Sequence, residues 1–296
     1  MPKVSIIVPA RNEPYLARTV ADLLGQARDS VEVLVILDGY WPDPALPDDP
    51  RVSILHRSLA QGMRPAINAA VAMSSGRYLF KIDAHCAVAE GYDVSLASQC
   101  DDNWLVVPRR YALDVERWAR RDDKPIVDAH RLSYPFPTEG LHGRIWKERA
   151  AARLAVTIDD DMSSQGSAWF CHRRHWRRTI RRMQVEQYGS FTAEHQELGL
   201  KTWCSGGRLV VNKNTWYAHW RKSSRGYALS TPERDRGEAF CTDWWMHDRW
   251  PQQTRGIRSL VEAFWPVPGW PTSSTGALDW DQVSRDRDTW RLGRAA

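Results

Sequence analysis

In LFKIDAHCAVAEGYD, Leu79 to Asp93, a run suited to a buried strand stops at Asp83-Ala84-His85. A carboxylate or imidazole there is costly unless something pairs with it. A metal ion, a hydrogen-bond partner or solvent beyond the strand end would each serve. Residues separated by one can face a single ion from a strand's end. A hard oxygen beside an imidazole nitrogen suits Mn²⁺ and tolerates Mg²⁺, and an incomplete protein shell would leave coordination positions for diphosphate oxygens. A lone D-x-H also has a plain structural reading. Two more carboxylates, Glu13 and Asp38, fall just past other apolar runs, although Asp38 before Gly39 equally reads as a turn residue.

Such placements need strands whose carboxyl ends share one edge. KVSIIVPA predicts a first buried strand bounded by Pro9, and VEVLVILDGY, RVSILHR and RYLFKIDAH predict three more. Between the first two, NEPYLARTVADLLGQA sets Leu16, Val20, Leu23, Leu24 and Ala27 at helical spacing, with Pro14 suited to the first turn. MRPAINAAVAMSS predicts a small-residue helix closed by Gly76. Strands alternating with helices imply an α/β fold with a doubly wound, mainly parallel sheet. Ligands bind such sheets beyond the strands' carboxyl ends. From Trp104 onward the pattern predicts mixed strands and helices carrying a second half-site.

The composition, 43% hydrophobic and 26% charged over 296 residues, is that of a soluble globular protein. Five cysteines without CxxC spacing argue against a zinc site or disulfide framework and for reduced thiols in a cytoplasm. Met1-Pro2-Lys3 leads straight into a strand, so no secretory signal is expected, and no apolar run approaches the ~20 residues of a spanning helix. Seven of the sixteen Trp lie beyond residue 240, which predicts an ordered, aromatic C-terminal extension. The net charge of +5 is concentrated in HRRHWRRTIRR, His172 to Arg182, with six Arg and no acid. Such a run is a solvated helix face or the contact surface for an anionic partner.

VSIIVPARNEPYLARTVADLL, VLVILDGYWPD and GMRPAINAAVAMSSGRYLFKIDAHC resemble successive motifs of family 2 glycosyltransferases with a GT-A fold. The Asp-Ala-His-Cys form is similar to the Asp-x-His metal motif of the polypeptide N-acetylgalactosaminyltransferases. AEHQELGLKTWCSGGRLVVNKNTWYAHWRK resembles the later motifs of those enzymes. The resemblance covers about residues 3–93 and 160–222. It implies a metal-dependent hexosyltransferase using a UDP-sugar, with Mn²⁺ (or Mg²⁺) held by Asp83, His85 and His219. It further implies donor contacts from Pro9, Arg11, Glu13, Asp38, Arg64, Asp83 and Arg221, under a mobile loop RKSSRGY. Residues 1–115 would form the nucleotide-sugar half, 116–222 the acceptor and catalytic half, and 223–296 an extension. Where inverting family members carry Glu-Asp or Asp-Asp, this chain has Glu194-His195, so either side chain is a candidate base. The resemblance to the retaining N-acetylgalactosaminyltransferases, which have Asn at that place and need no such base, leaves retention open beside inversion.

The acceptor follows less directly. An envelope polysaccharide, a lipid-linked glycan and a protein hydroxyl are all compatible with the family, and no obligate protein partner is implied. The compact form also resembles glycosyltransferases of phage-type DNA hypermodification, which implies 5-hydroxymethylcytosine or another hydroxymethylpyrimidine in DNA, acted on in the host cytoplasm. On a helix, Arg174, Arg177, Arg178 and Arg181 could share a face and contact phosphates. Trp169 could stack on an extruded base, or simply belong to the core.

Overall fold

The computed structural model describes residues 3–295. Strands β1 (Val4–Ala10), β2 (Val31–Asp38), β3 (Val52–Arg57) and β4 (Tyr78–Ile82) lie parallel in the order β4-β1-β2-β3. The β-branched and aliphatic runs of β1, β2 and β4 are buried on both faces, as a helix-covered parallel sheet requires, while β3, at the sheet's edge, is partly exposed. Helix α1 (Leu16–Gln26) buries Leu16, Val20, Leu23 and Leu24, the stripe expected from their spacing. It begins one residue after Tyr15, which leaves Pro14 in the preceding turn rather than in the helix. Helix α2 (Met63–Met73) ends at Ser74. Gly76 is therefore not its cap. A Cβ there would stand 2.7 Å from the backbone nitrogen of Ser5, so glycine is needed for close approach to β1.

The sheet is extended by β5 (Cys86–Val88) and, after α3 (Tyr92–Ser98), by β6 (Trp104–Asp114) and β7 (Ala119–Arg121). A separate ribbon, β8 (His130–Leu132) with β9 (Gly143–Ile145), precedes α4 (Lys147–Ala152). Then β10 (Ile158–Asp160), β11 (Ala168–His172), which leads into the short helix α5 (Arg173–His175), and β12 (Arg208–His219) complete ten strands in one sheet. Strand β11 runs antiparallel between β4 and β6, while β12 lies parallel to β6 and pairs antiparallel with β5 near its end. Chain order reverses about β1, because α2 carries the chain from β3 back across to β4. That switch point opens a crevice at the carboxyl edge.

A second core lies beside the sheet. Helices α6 (Glu194–Cys204), α7 (Thr231–Met246) and α8 (Ile257–Ala263) meet the β8–β9 ribbon there. Trp245, Trp250 and Trp270 are buried in it with Trp146 and Tyr188, and the Trp245 indole donates to the Tyr188 hydroxyl at 2.9 Å. The tryptophan-rich extension, which ends in α9 (Trp280–Ala295), thus shares one core with residues from 129–146 and with α6.

Candidate active site

A cavity of about 310 Å³ opens at the switch point. Pro9 and Arg11 line it from the end of β1, Asp38 from the end of β2, and Asp83 and His85 from beyond β4. Arg221 and Lys222 enter from the segment after β12. The pairing of His219 with Cys86 brings β12 back onto β5 and sets two imidazoles 134 residues apart against each other.

His85 Nε2 lies 3.1 Å from His219 Nε2, and His219 Nε2 lies 3.4 Å from Asp83 Oδ2. Ligand atoms of all three lie within 4.8 Å of one another. Glu13 Oε2 hydrogen-bonds His85 Nδ1 at 2.9 Å, which leaves Nε2 as the lone-pair nitrogen, the usual outer-shell arrangement of a metal-binding histidine. Burial, opposed by Asp83, holds the His219 imidazole down at about 4, so it is neutral near pH 7. Burial raises the Asp83 carboxyl, but the Lys81 ammonium and His219 overcome this and keep it ionised far below the usual range. Two imidazoles and one carboxylate form a donor set that fits a divalent cation such as Mn²⁺.

The remaining cleft residues act on one another. Asp38 accepts from the backbone of Gln61 at 2.8 Å and Gly62 at 2.7 Å, fixing the loop ahead of α2. Lys222 donates to Glu13, Asn12 Nδ2 donates to the Gly226 carbonyl at 2.9 Å, and Arg11 stacks on Tyr227 at 4.3 Å. The RKSSRGY segment therefore lies across the cleft.

A second cavity of about 480 Å³ shares Asp83, Phe191 and His219 with the first, and Glu194 and His195 line it. Glu194 starts α6 and is 5% exposed; it accepts from Trp169 Nε1 at 2.7 Å and faces Lys81 Nζ at 3.4 Å. Burial raises its carboxyl above the ordinary glutamate value despite Lys81. His195 is pushed down to about 3 by burial and by His130 and His142, so it is neutral near pH 7.

Three expectations are corrected. Arg64 is fully buried and donates to the Thr192 carbonyl, pairs with Glu197 and covers the Tyr188 ring, so it cannot touch a donor. Trp169 is 1% exposed and stacked on Trp176, a core residue that orients Glu194 rather than a platform for a base. Arg174, Arg177, Arg178 and Arg181 line neither these two cavities nor a third hollow, a groove lined by Arg110, Arg121, Lys124 and His219. Because β11 is antiparallel to β4, its last residue, His172, sits against Tyr78, and the arginine run starts at the sheet edge opposite the cleft. Arg174 pairs there with Asp102. Arg64→Met should cost about 3 kcal/mol in urea denaturation, the penalty for breaking a buried pair. The folded variant should keep the wild-type donor KM; a raised KM would return Arg64 to the donor site.

Lys81 is the site residue that sequence reading missed. Its signal was present: a lysine inside an apolar strand, two before Asp83, must share that aspartate's face.

The family model described as glycosyl transferase family 2 matches residues 5–154. Among solved structures the chain is similar to GalNAc-T7, crystallised with UDP, GalNAc and Mn²⁺, at 14% identity and a TM-score of 0.61. The alignment covers 98% of this chain and 55% of that one, so the chain spans about half that protein's length. No curated protein matches the chain. A matched family model over half the chain, on a mainly parallel α/β sheet of the GT-A type, makes the chain a member of glycosyl transferase family 2.

Proposed function

We propose that the chain transfers a sugar from a UDP-sugar to an acceptor hydroxyl with inversion, using Mn²⁺ held by Asp83, His85 and His219 and Glu194 as general base. The observation that carries this reading is the Glu194 carboxylate, which lines the second cavity and is separated from the Asp83 carboxylate by one shared ammonium, that of Lys81. A buried carboxylate with a raised pKa is suited to accept a proton. The acceptor oxygen bonds to the anomeric carbon as the bond from that carbon to the diphosphate oxygen breaks. The electron pair leaves with UDP, and the hydroxyl proton passes to Glu194. The bound cation supplies charge compensation for the diphosphate. GalNAc-T7, which carries UDP and Mn²⁺, supports the choice of nucleotide and ion. Pro9, Arg11, Asp38 and Arg221 would contact the donor in the 1–115 half and at its rim. Glu13 and Lys222 would hold His85 and the covering segment.

The finer reading makes a hydroxymethylpyrimidine in DNA the acceptor. Its support no longer comes from the arginine run. It comes from a groove of about 760 Å³ that shares His219 and Arg221 with the donor cleft and carries Arg110, Arg121, Lys124 and Lys147 against Asp114 and Glu116. Cations there suit a phosphodiester backbone. Mass spectrometry of nucleosides after incubation with Mn²⁺, several UDP-sugars and hydroxymethylcytosine DNA tests it. A hexose or N-acetylhexosamine mass gain is expected. UDP release without that gain removes DNA and leaves a glycan, lipid or protein hydroxyl as acceptor.

A further inference from the structure

We infer that Lys81 is a positioning residue that ties the cation-binding carboxylate to the general base; this rests on the function proposed above. An ammonium has three donors and no acceptor. Lys81 Nζ uses them on Asp83 Oδ1 at 2.7 Å, on the Gly166 carbonyl, and toward Glu194 Oε2 at 3.4 Å. No donor is left for a substrate, and the side chain is 1% exposed, so Lys81 acts only through its partners.

The pairing divides each carboxylate in two. Asp83 gives Oδ1 to Lys81 and turns Oδ2 toward His219. Glu194 gives Oε1 to the Trp169 indole and turns Oε2 toward Lys81. Gly166 completes the cradle: a Cβ there would stand 2.6 Å from Glu194 Oε2, so only glycine lets the carboxylate lie against this backbone while its carbonyl holds the ammonium. Without Lys81, two carboxylates would share a largely desolvated gap with no cation between them, and each would turn away from the other. One buried charge therefore sets both the direction of a metal ligand and the place of the base.

Lys81→Met tests this, with folding checked by circular dichroism and thermal melting. Mn²⁺ binding, read by electron paramagnetic resonance without nucleotide, is expected to weaken about tenfold, as for loss of an outer-shell partner. Turnover is expected to fall, but Lys81→Met added to Glu194→Gln should cost no further kcat while the loss of Mn²⁺ affinity persists. If Lys81→Met does not fold, Lys81→Gln, which keeps a donor without the charge, carries the same expectations. Unchanged Mn²⁺ affinity in the folded variant, or kcat losses that multiply in full, overturns the coupling. A wild-type protein that binds no Mn²⁺ overturns the cation reading beneath it.

Discussion

Asp83→Ala and His219→Ala are each expected to lower sugar transfer by about 10³-fold or more, because a cation's compensation of the leaving diphosphate contributes several kcal/mol to the barrier. Each removes one of three ligand atoms that lie within 4.8 Å of one another, and no fourth His, Cys, Asp or Glu joins that group among the described residues. The measurement is UDP release and product formation over a Mn²⁺ titration, with excess chelator as the control. Excess chelator should abolish wild-type turnover, and added Mn²⁺ should restore it. Raising Mn²⁺ should only partly rescue His219→Ala, where Asp83 and His85 remain. Full activity of either variant, or of the wild type in chelator, would sink the assignment. Glu13→Gln should have a milder effect, since it weakens the partner that orients His85 rather than removing a ligand.

Glu194→Gln is expected to lower kcat by about 10²- to 10⁴-fold, the usual contribution of a positioned base, with donor KM little changed. Gln keeps the shape and can still accept from Trp169, so folding should survive. The pH profile separates the candidates. The base must be ionised to act, and burial raises the Glu194 carboxyl. Wild-type kcat should therefore rise with pH through a value above that of an ordinary glutamate, and the Gln variant should lose this acid limb. His195→Asn should keep it. Were His195 the base instead, its imidazole, held down at about 3, would place the limb near pH 3, and the Asn variant would be the inactive one.

Which parts of this were legible depended on the range of the interaction involved. The four parallel strands and two helices were readable from local pattern: the strands are short β-branched or aliphatic runs, continuous in β1, β2 and β4, and the buried residues of α1 recur at helical spacing. Asp83 and His85 were readable as a pair because residues two apart at a strand end share a side. His219 was placed by its motif alone; what makes it meet His85 is the antiparallel pairing of β12 with β5. Arg64 misled because a helical arginine near a cleft reads as a phosphate contact, yet Glu197, the Thr192 carbonyl and Tyr188 enclose it. The arginine run misled for another reason. Its charge is local, but the direction of β11, fixed by pairing with β4 and β6, determines which edge it reaches.

The sequence by itself determined the class of sheet, the carboxylates at its carboxyl edge, and an Asp83–His85 pair suited to a divalent cation, since each follows from local spacing and side-chain chemistry. Tertiary structure alone decided that Glu194 would stand one ammonium from Asp83, that Trp169 would orient it from the core, and that the tryptophan-rich extension would form a second core with residues 129–146 and α6. Those contacts join segments tens to more than a hundred residues apart. Nothing in local periodicity encodes them; they exist only once the strands have paired and apolar faces have found each other.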